Sequence, residues 1–203
     1  DMPDKDNMYS IPTAFDYKIL KSAAVYGANA SGKTKLFEAF AFMREVVSPL
    51  PSSANVPALR GWKKIYAPYR LSTATENESS FFEAVFIIEN VQYRYGFELT
   101  EKGIVDEWLY RKLHRESLIL SRNSGTDGTL RIKITSTYIN QKIFGNIRDA
   151  GMVSPEAPLL TLLATFNDSL CRRIMSEFHK TSVISANQMG TPIDALVHEK
   201  SKR

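Results

Sequence analysis

Two glycines, a lysine and a threonine lie within eight residues near the start of the chain, in Gly27-Ala-Asn-Ala-Ser-Gly32-Lys33-Thr34. They match G-x-x-x-x-G-K-[ST], a loop whose backbone N–H groups surround nucleotide phosphates. The glycines let the loop bend freely, the lysine reaches the β- and γ-phosphates, and the threonine hydroxyl ligates Mg²⁺. We therefore expect Lys33 to be the catalytic cation and Thr34 the metal ligand. Phosphate contacts are expected from Gly27, Ala28, Asn29, Ala30, Ser31, Gly32, Lys33 and Thr34.

A phosphate loop has to lie between a strand and a helix, and the flanking residues predict both. The stretch KILKSAAVYG predicts a short buried strand that ends at Gly27. From Lys33 the apolar spacing is helical, and the prolines at 49 and 51 end the pattern. The predicted apolar face of this helix comprises Leu36, Phe37, Phe40, Met43 and Val47.

The rest of the chain divides into a strand-rich part and a helical part. Residues 80–136 are rich in Val, Ile, Tyr, Phe and Trp, and the breaks at EN, TEKG and GTDG predict an antiparallel meander. From Ser154, a serine N-cap and a following proline predict a helix running through Leu159 to Ile174. A further short helix is expected near Thr191-Pro192. The predicted fold is an α/β phosphate-loop NTPase with α+β character.

Composition limits the alternatives. The one cysteine, Cys171, excludes a disulfide or a cysteine metal site within the chain, and its apolar surroundings predict a small buried residue. Without a membrane-length apolar run or a signal peptide, the expected location is cytoplasmic. A net charge of +4 permits nucleic-acid contact without arguing for it. The chain has no Asn-Lys-x-Asp guanine reader, and the meander disfavours a small-molecule kinase.

The loop YGANASGKTKLFEAFAFM, with VQYRYGFEL and IVDEWLY downstream, resembles the ABC-class ATPases of bacterial defence and abortive-infection systems, relatives of the SMC and OLD ATPases. The resemblance covers about residues 18–185. It implies ATP and Mg²⁺ as ligands, and an antiparallel β-subdomain followed by a helical lobe. It also implies ATP sandwiched between two heads of a homodimer or larger assembly. A nuclease or another effector is the implied partner.

On this resemblance the chain is one partial ATPase head. Residues 18–50 would be the phosphate-loop strand and helix, 60–150 the β-subdomain, and 151–203 the start of the helical lobe. The nearest Walker B candidate is Asp106-Glu107 in GIVDEW, which has only two apolar residues before it and is predicted to be a strand-surface pair. LSRNSG, at 120–125, resembles a signature loop but is predicted to be a hairpin turn.

Other elements of such a head have no assignment from the sequence. The sequence does not decide whether Phe15 or Tyr17 stacks on adenine, and each of them also fits a core position. The candidates for the switch histidine and the γ-phosphate glutamine lack diagnostic neighbours; they are His114, His179, His198, Gln92, Gln141 and Gln188. We therefore expect an N-terminal portion of a longer ATPase that by itself binds nucleotide poorly and hydrolyses it barely.

Three functions remain open. The first is a soluble ABC-class ATPase that regulates an effector in phage defence. The second is the nucleotide-binding subunit of a transporter, which the long aromatic meander disfavours. The third is a DNA-associated SMC-like ATPase or scaffold, although charge runs are usually solvated surface. Its candidate phosphate contacts are Arg60, Lys63, Lys64, Arg111, Lys112 and Arg115.

Overall fold

The computed structural model describes residues 9–48, 61–68, 78–125 and 128–183. The strands are β1 (Ser10–Pro12), β2 (Lys18–Leu20), β3 (Ser80–Ile88), β4 (Val91–Thr100), β5 (Gly103–Lys112), β6 (Glu116–Ser124) and β7 (Leu130–Ile134). The helices are α1 (Lys33–Val46), α2 (Gly61–Ile65), α3 (Gln141–Asp149), α4 (Leu159–Thr165) and α5 (Ser169–Lys180). The expected loop at 49–60, Arg60 and the helix start near Thr191-Pro192 lie outside the described residues, as do Gln188 and His198.

The predicted meander is confirmed. Strands β3 to β7 form one five-stranded antiparallel sheet in chain order, while β1 and β2 form a separate antiparallel pair. Glu89 and Asn90 connect β3 to β4 with φ values of 50° and 61°, which is the left-handed pair of a type I′ turn. The predicted turn at GTDG is also present between β6 and β7, where the Gly125 N–H donates to the Thr129 carbonyl at 2.8 Å. The chain is mixed α/β.

One face of the sheet carries the core. Along β4, Tyr93, Tyr95, Phe97 and Leu99 face the core at every second position and are at most 9% exposed. The ring of Phe178 on α5 lies 5.9 Å from that of Tyr95 and 6.1 Å from that of Phe40 on α1. The second half of α1 is thereby fixed to both the sheet and α5.

The helical part differs from the single helix expected after Ser154. Helices α4 and α5 are separated at Asn167, whose φ is +67°, and Asp168 starts α5 by accepting the Cys171 N–H at 3.0 Å. The expected serine cap is wrong, since the N-cap of α4 is Pro158 and has no side-chain cap of its own. Helix α3, capped by Asn140, was not predicted. Cys171 is fully buried, as expected.

The strand expected before the phosphate loop is also wrong in length and burial. β2 covers only Lys18–Leu20, is exposed throughout and pairs with the unpredicted β1. The Lys21 N–H still donates to the Tyr9 carbonyl at 2.9 Å, but among the described residues no strand pairs with 22–27. Tyr26 is accordingly 90% exposed.

Helix α1 is confirmed, but its predicted face is only half buried. Met43 and Val47 are in the core together with Phe42 and Val46, which turn toward the sheet as well. Leu36 and Phe37, in the first two turns, are 60% and 54% exposed. The half of the helix nearest the loop therefore projects beyond the core.

The second face of the sheet holds a tryptophan against a glycine. A Cβ at Gly96 would lie 2.5 Å from the Trp108 ring and 2.7 Å from the Phe82 carbonyl oxygen. The Trp108 ring also stacks on Phe81 at 5.3 Å and its indole N–H donates to Glu83 at 2.8 Å. The flat contact with the backbone of β4 requires glycine at this position.

We predict that Gly96→Ala lowers the free energy of unfolding by about 1–3 kcal/mol, because Trp108 has to move or the strands have to separate. Gly145→Ala is the matched control. Gly145 lies inside α3, and an alanine methyl group there would have open space for 4 Å around it, so the change is neutral or stabilises by up to about 1 kcal/mol. Urea denaturation measures both, and equal effects would contradict the proposed contact.

Candidate nucleotide-binding site

The loop at 27–34 closes through local backbone contacts before α1 begins. The Ser31 N–H donates to the Ala28 carbonyl at 3.3 Å, and the Lys35 N–H donates to the Gly32 carbonyl at 3.0 Å as the first helical bond. Ala30 and Gly32 have φ values of +62° and +88°. Left-handed backbone costs a non-glycine residue about 1 kcal/mol, so Ala30 is held there by its surroundings.

The Lys33 ammonium lies inside the bend of the loop. Its Nζ donates to the carbonyl oxygens of Gly27 and Ala28 at 2.7 and 2.6 Å, and lies 3.4 Å from the Ser31 hydroxyl. These three oxygens belong to neutral groups, and no carboxylate is among them. The loop thus holds a full positive charge among neutral oxygens, and such a charge suits a polyanion.

The rest of the loop fits phosphate as well. A Cβ at Gly27 would lie 2.7 Å from the Ser31 hydroxyl oxygen, so a side chain at this position would fill the bend. Helix α1 starts at Lys33 with no acidic residue in its first turn, and its N-terminal N–H groups and dipole favour an anion there. Thr34 lies exposed in that first turn, where its hydroxyl can reach a metal ion bound with the phosphates. The residues present therefore fit Mg²⁺ and a nucleotide polyphosphate.

The Walker B candidate behaves differently from its predicted role as a surface pair. Glu107 has no exposed area at all. Its two carboxylate oxygens accept the Leu159 N–H at 2.7 Å and the Leu160 N–H at 2.9 Å, and the Tyr95 hydroxyl at 3.1 Å. Leu159 and Leu160 are the first residues of α4, so this carboxylate replaces the missing side-chain cap. The surface assignment is wrong for Glu107.

Arg122 completes this buried network, and sequence reasoning missed it. It faces Glu107 directly across the β5–β6 ladder, with its Nη1 4.0 Å from Glu107 Oε2. Its two terminal nitrogens donate to the carbonyls of Ala157 and Ser154 at 2.8 Å each. Burial raises the pKa of Glu107 and lowers the pKa of Arg122, and the attraction between the two charges opposes both shifts. Strand positions alone could not reveal the pair, because a bulge at Leu109/Tyr110 shifts the register.

Asp106, the other half of the candidate, points to the second face of the sheet. It is half-buried and accepts the Asn123 side-chain N–H at 3.2 Å. Burial raises its pKa, which this hydrogen bond opposes. Consecutive residues of a strand face opposite sides, so the two carboxylates cannot act together on one metal ion or water. Among the described residues, no group of three or more His, Cys, Asp or Glu side chains could hold a metal.

The aromatic candidates for adenine stacking meet on the sheet. Phe15 and Tyr17 stack on each other with their ring centroids 5.9 Å apart. The Tyr17 hydroxyl donates to the side chain of Gln92 on β4, and the Lys112 ammonium lies 5.7 Å from the Phe15 ring. These contacts occupy the side chain of Gln92 as well, so they give that glutamine a structural role.

The sequence placed His114 and His179 correctly, in the meander and at the end of a helix, but made no prediction for the position of Gln141. His114 lies between β5 and β6, His179 in the last turn of α5, and Gln141 at the start of α3. Burial lowers the pKa of His179, and the Arg44 guanidinium adds to the effect. The hairpin turn predicted for LSRNSG is wrong, because residues 120–124 belong to β6 and pair with β7; the turn begins only at Gly125.

The basic residues considered for DNA are partly engaged elsewhere. Lys63 forms an ion pair with Glu156, and the Arg111 guanidinium donates to the Tyr138 hydroxyl at 2.8 Å and covers its ring. Lys112 covers Phe15. Of the six candidates, these three therefore have intramolecular partners, which weakens the case for a phosphate-binding surface. No helix in the described part of the chain is long and apolar enough to span a membrane.

Comparison with known families identifies a relationship over most of the chain. A family model described as "AAA domain, putative AbiEii toxin, Type IV TA system" matches residues 22–170, which is well over half of the chain. The matched range includes the whole phosphate loop, the meander and α4. No curated protein and no solved structure matches the chain.

We predict that Glu107→Gln lowers the free energy of unfolding by about 3 kcal/mol or more, because the amide nitrogen that replaces one carboxylate oxygen cannot accept an N–H, and because Arg122 loses its counter-charge. Asp106→Asn is the control, and its loss is expected to stay near 1 kcal/mol or below. Arg122→Met added to Glu107→Gln should restore part of the loss, since it removes the uncompensated charge. Chemical denaturation of the wild type and the three variants measures these differences. Equal losses for the two carboxylates would refute the capping role.

Proposed function

The chain belongs to the AAA-domain family whose model it matches, and from that premise we propose that it binds ATP with Mg²⁺ through residues 27–34. The observation that carries the proposal is the Lys33 ammonium held within the loop by the carbonyls of Gly27 and Ala28. A lysine that was buried or paired with a carboxylate would have to lose those interactions before it could bind a phosphate. This one lies at an exposed loop among neutral oxygens.

Binding exchanges weak acceptors for strong ones. The carbonyl oxygens that now accept from Lys33 are neutral, whereas phosphate oxygens carry negative charge, so a phosphate adds ion-pair attraction to the hydrogen bond. The N–H groups at the start of α1 donate to the same anion, and the first turn contributes no opposing carboxylate. Thr34 supplies a hydroxyl ligand for Mg²⁺. Bound MgATP would bring the reactive γ-phosphoryl group and the cation that offsets its charge.

We further propose that hydrolysis needs groups beyond the Asp106-Glu107 pair. Glu107 is committed to α4 and Arg122, and Asp106 faces the other side of the sheet, so neither is placed as a water-orienting carboxylate. The exposed apolar side chains beside the loop, among them Val25 and Leu36, support further polypeptide of an ATPase head packing there. A second head across the nucleotide, in a homodimer or larger assembly, would supply the rest.

The same premise supports a proposal about the biological role. The family description names a toxin of a type IV toxin–antitoxin system. We propose that ATP binding by this domain controls such an effector in bacterial defence, with a nuclease as one candidate effector. The engaged basic residues favour this role over a DNA scaffold, because Lys63, Arg111 and Lys112 already have intramolecular partners.

Lys33→Ala should weaken ATP binding at least about tenfold, since one charge-assisted hydrogen bond is worth roughly 1.5–3 kcal/mol. Lys35→Ala is the matched control: it removes another exposed lysine, two residues away, that pairs with Glu38. Titration with a fluorescent ATP analogue measures both variants. If Lys33→Ala and the wild type bound ATP with equal affinity, residues 27–34 would not be the ATP-binding loop.

Thr34→Ala should weaken binding in the presence of Mg²⁺ more than in EDTA, because only the metal-bound form uses the hydroxyl. Thr34→Ser keeps a hydroxyl and should retain most of the Mg²⁺-dependent affinity. The ratio of affinities with and without Mg²⁺ is the quantity to compare. A loss of the same size in both conditions would mean that the threonine supports only the loop conformation.

A further inference from the structure

The two edges of the five-stranded sheet are protected to different degrees. β7 has only five residues, and two of them, Arg131 and Lys133, carry charge. β3 has nine residues, SFFEAVFII, in which Glu83 is the only charged residue and proline and lysine are absent. Its pairing with β4 continues without a bulge over all nine residues. Short length, charge, proline and bulges are the devices that keep an edge from pairing, and β3 has almost none of them.

The turn after β3 determines which backbone groups point outward. In a type I′ turn at Glu89-Asn90, the residues on either side, Ile88 and Val91, form a hydrogen-bonded pair. Hydrogen-bonded and non-hydrogen-bonded pairs then alternate along the ladder. The N–H and C=O groups directed away from β4 therefore belong to Phe81, Glu83, Val85 and Ile87. In the described part of the chain no strand pairs with them.

We propose that β3 pairs antiparallel with β3 of a second copy of this chain, with the two-fold axis at Ala84. This register is the one that pairs all nine residues, and it sets outward groups against outward groups. Phe81 then faces Ile87 of the second copy, and Glu83 faces Val85. The two sheets continue as one, and the side chains of Phe81 and Val85, now 59% and 50% exposed, become covered.

Charge and size both suit this register. The Glu83 carboxylate is held in its own copy by Arg94 at 2.9 Å and by the Trp108 indole N–H at 2.8 Å, and it faces a valine. An axis one residue earlier would place two Glu83 carboxylates opposite each other, which is destabilising. Ala84 lies at the axis in a non-hydrogen-bonded pair, where strands approach most closely and a small side chain fits.

This interface shares no residue with the phosphate loop. Dimerisation through β3 is therefore expected without nucleotide and in Lys33→Ala, whereas a dimer formed by sandwiching ATP would need both. The two kinds of association can be separated on this ground, and failure of the ATP-binding proposal would leave this one standing.

The test uses substitutions at Val85, which faces Glu83 of the second copy. Val85→Glu should raise the dimer dissociation constant about tenfold or more, because two like-charged pairs form across the axis. Val85→Lys should leave the dissociation constant close to that of the wild type or lower it, since each lysine faces a carboxylate. Leu130→Glu, which adds the same charge at a 42% exposed leucine on the opposite edge, is the control. Sedimentation velocity without nucleotide measures the wild type and the three variants.

A wild-type protein that remains monomeric would overturn the proposal, and so would a dimer that Val85→Glu and Leu130→Glu affect equally. Equal weakening by Val85→Glu and Val85→Lys would overturn the register. A cross-link tests the axis directly: Ala84→Cys should form an intermolecular disulfide under mild oxidation, because the two Cα atoms would be about 4.5 Å apart. Ile87→Cys, whose symmetry mate lies roughly 20 Å away along the strand, should not. Cys171 is fully buried and stays out of the reaction.

Discussion

The buried carboxylate of Glu107 sets the arrangement of sheet and helices, because from the middle of the sheet it accepts the first two N–H groups of α4. Arg122 beside it binds the carbonyls of Ser154 and Ala157, which lead into that helix. Neither charge could remain buried alone, because an unpaired ion in the interior costs several kcal/mol. Together they satisfy both the donors and the acceptors of a helix start that has no cap of its own. The position of α4, and of α5 packed on it, is therefore set by β5 and β6.

This arrangement separates the anchoring of α1 from the shaping of the loop that precedes it. The sheet, α4 and α5 form a core that holds α1 by its second half, through Phe42 and Val46. The first half of α1 and the loop extend past that core, where the geometry is set locally by the contacts of Lys33 and the left-handed residues Ala30 and Gly32. The charge that would meet a nucleotide is thus supported by short-range contacts, while the helix that carries it is anchored by long-range packing.

The features that the sequence predicted well are those with local causes. Helix α1, the meander and its turn at Glu89-Asn90 follow from apolar spacing, β-branched content and turn residues, and all of them are present. The errors have tertiary causes. Apolar spacing shows which face of α1 is apolar, but not that Leu36 and Phe37 stay more than half exposed in the part of the chain that the structure describes. In GIVDEW both faces of the strand carry apolar residues, so alternation could not tell that Glu107 points inward.

The break between α4 and α5 has a local cause, yet the sequence analysis did not predict it. Asn167-Asp168-Ser169 has the composition of a helix start, and Asp168 caps α5 while also accepting the Asn140 N–H at the start of α3. The signal was in the sequence, but the apolar spacing on either side predicted one continuous helix. Arg122 had no local signal at all. It reaches Glu107 because a one-residue bulge shifts the β5–β6 register; without that bulge, Ser121 would face the carboxylate and the buried charge would lack its partner. A single irregularity in the hairpin therefore decides whether the only Asp-Glu pair in the meander is a buried structural element or an unstable defect.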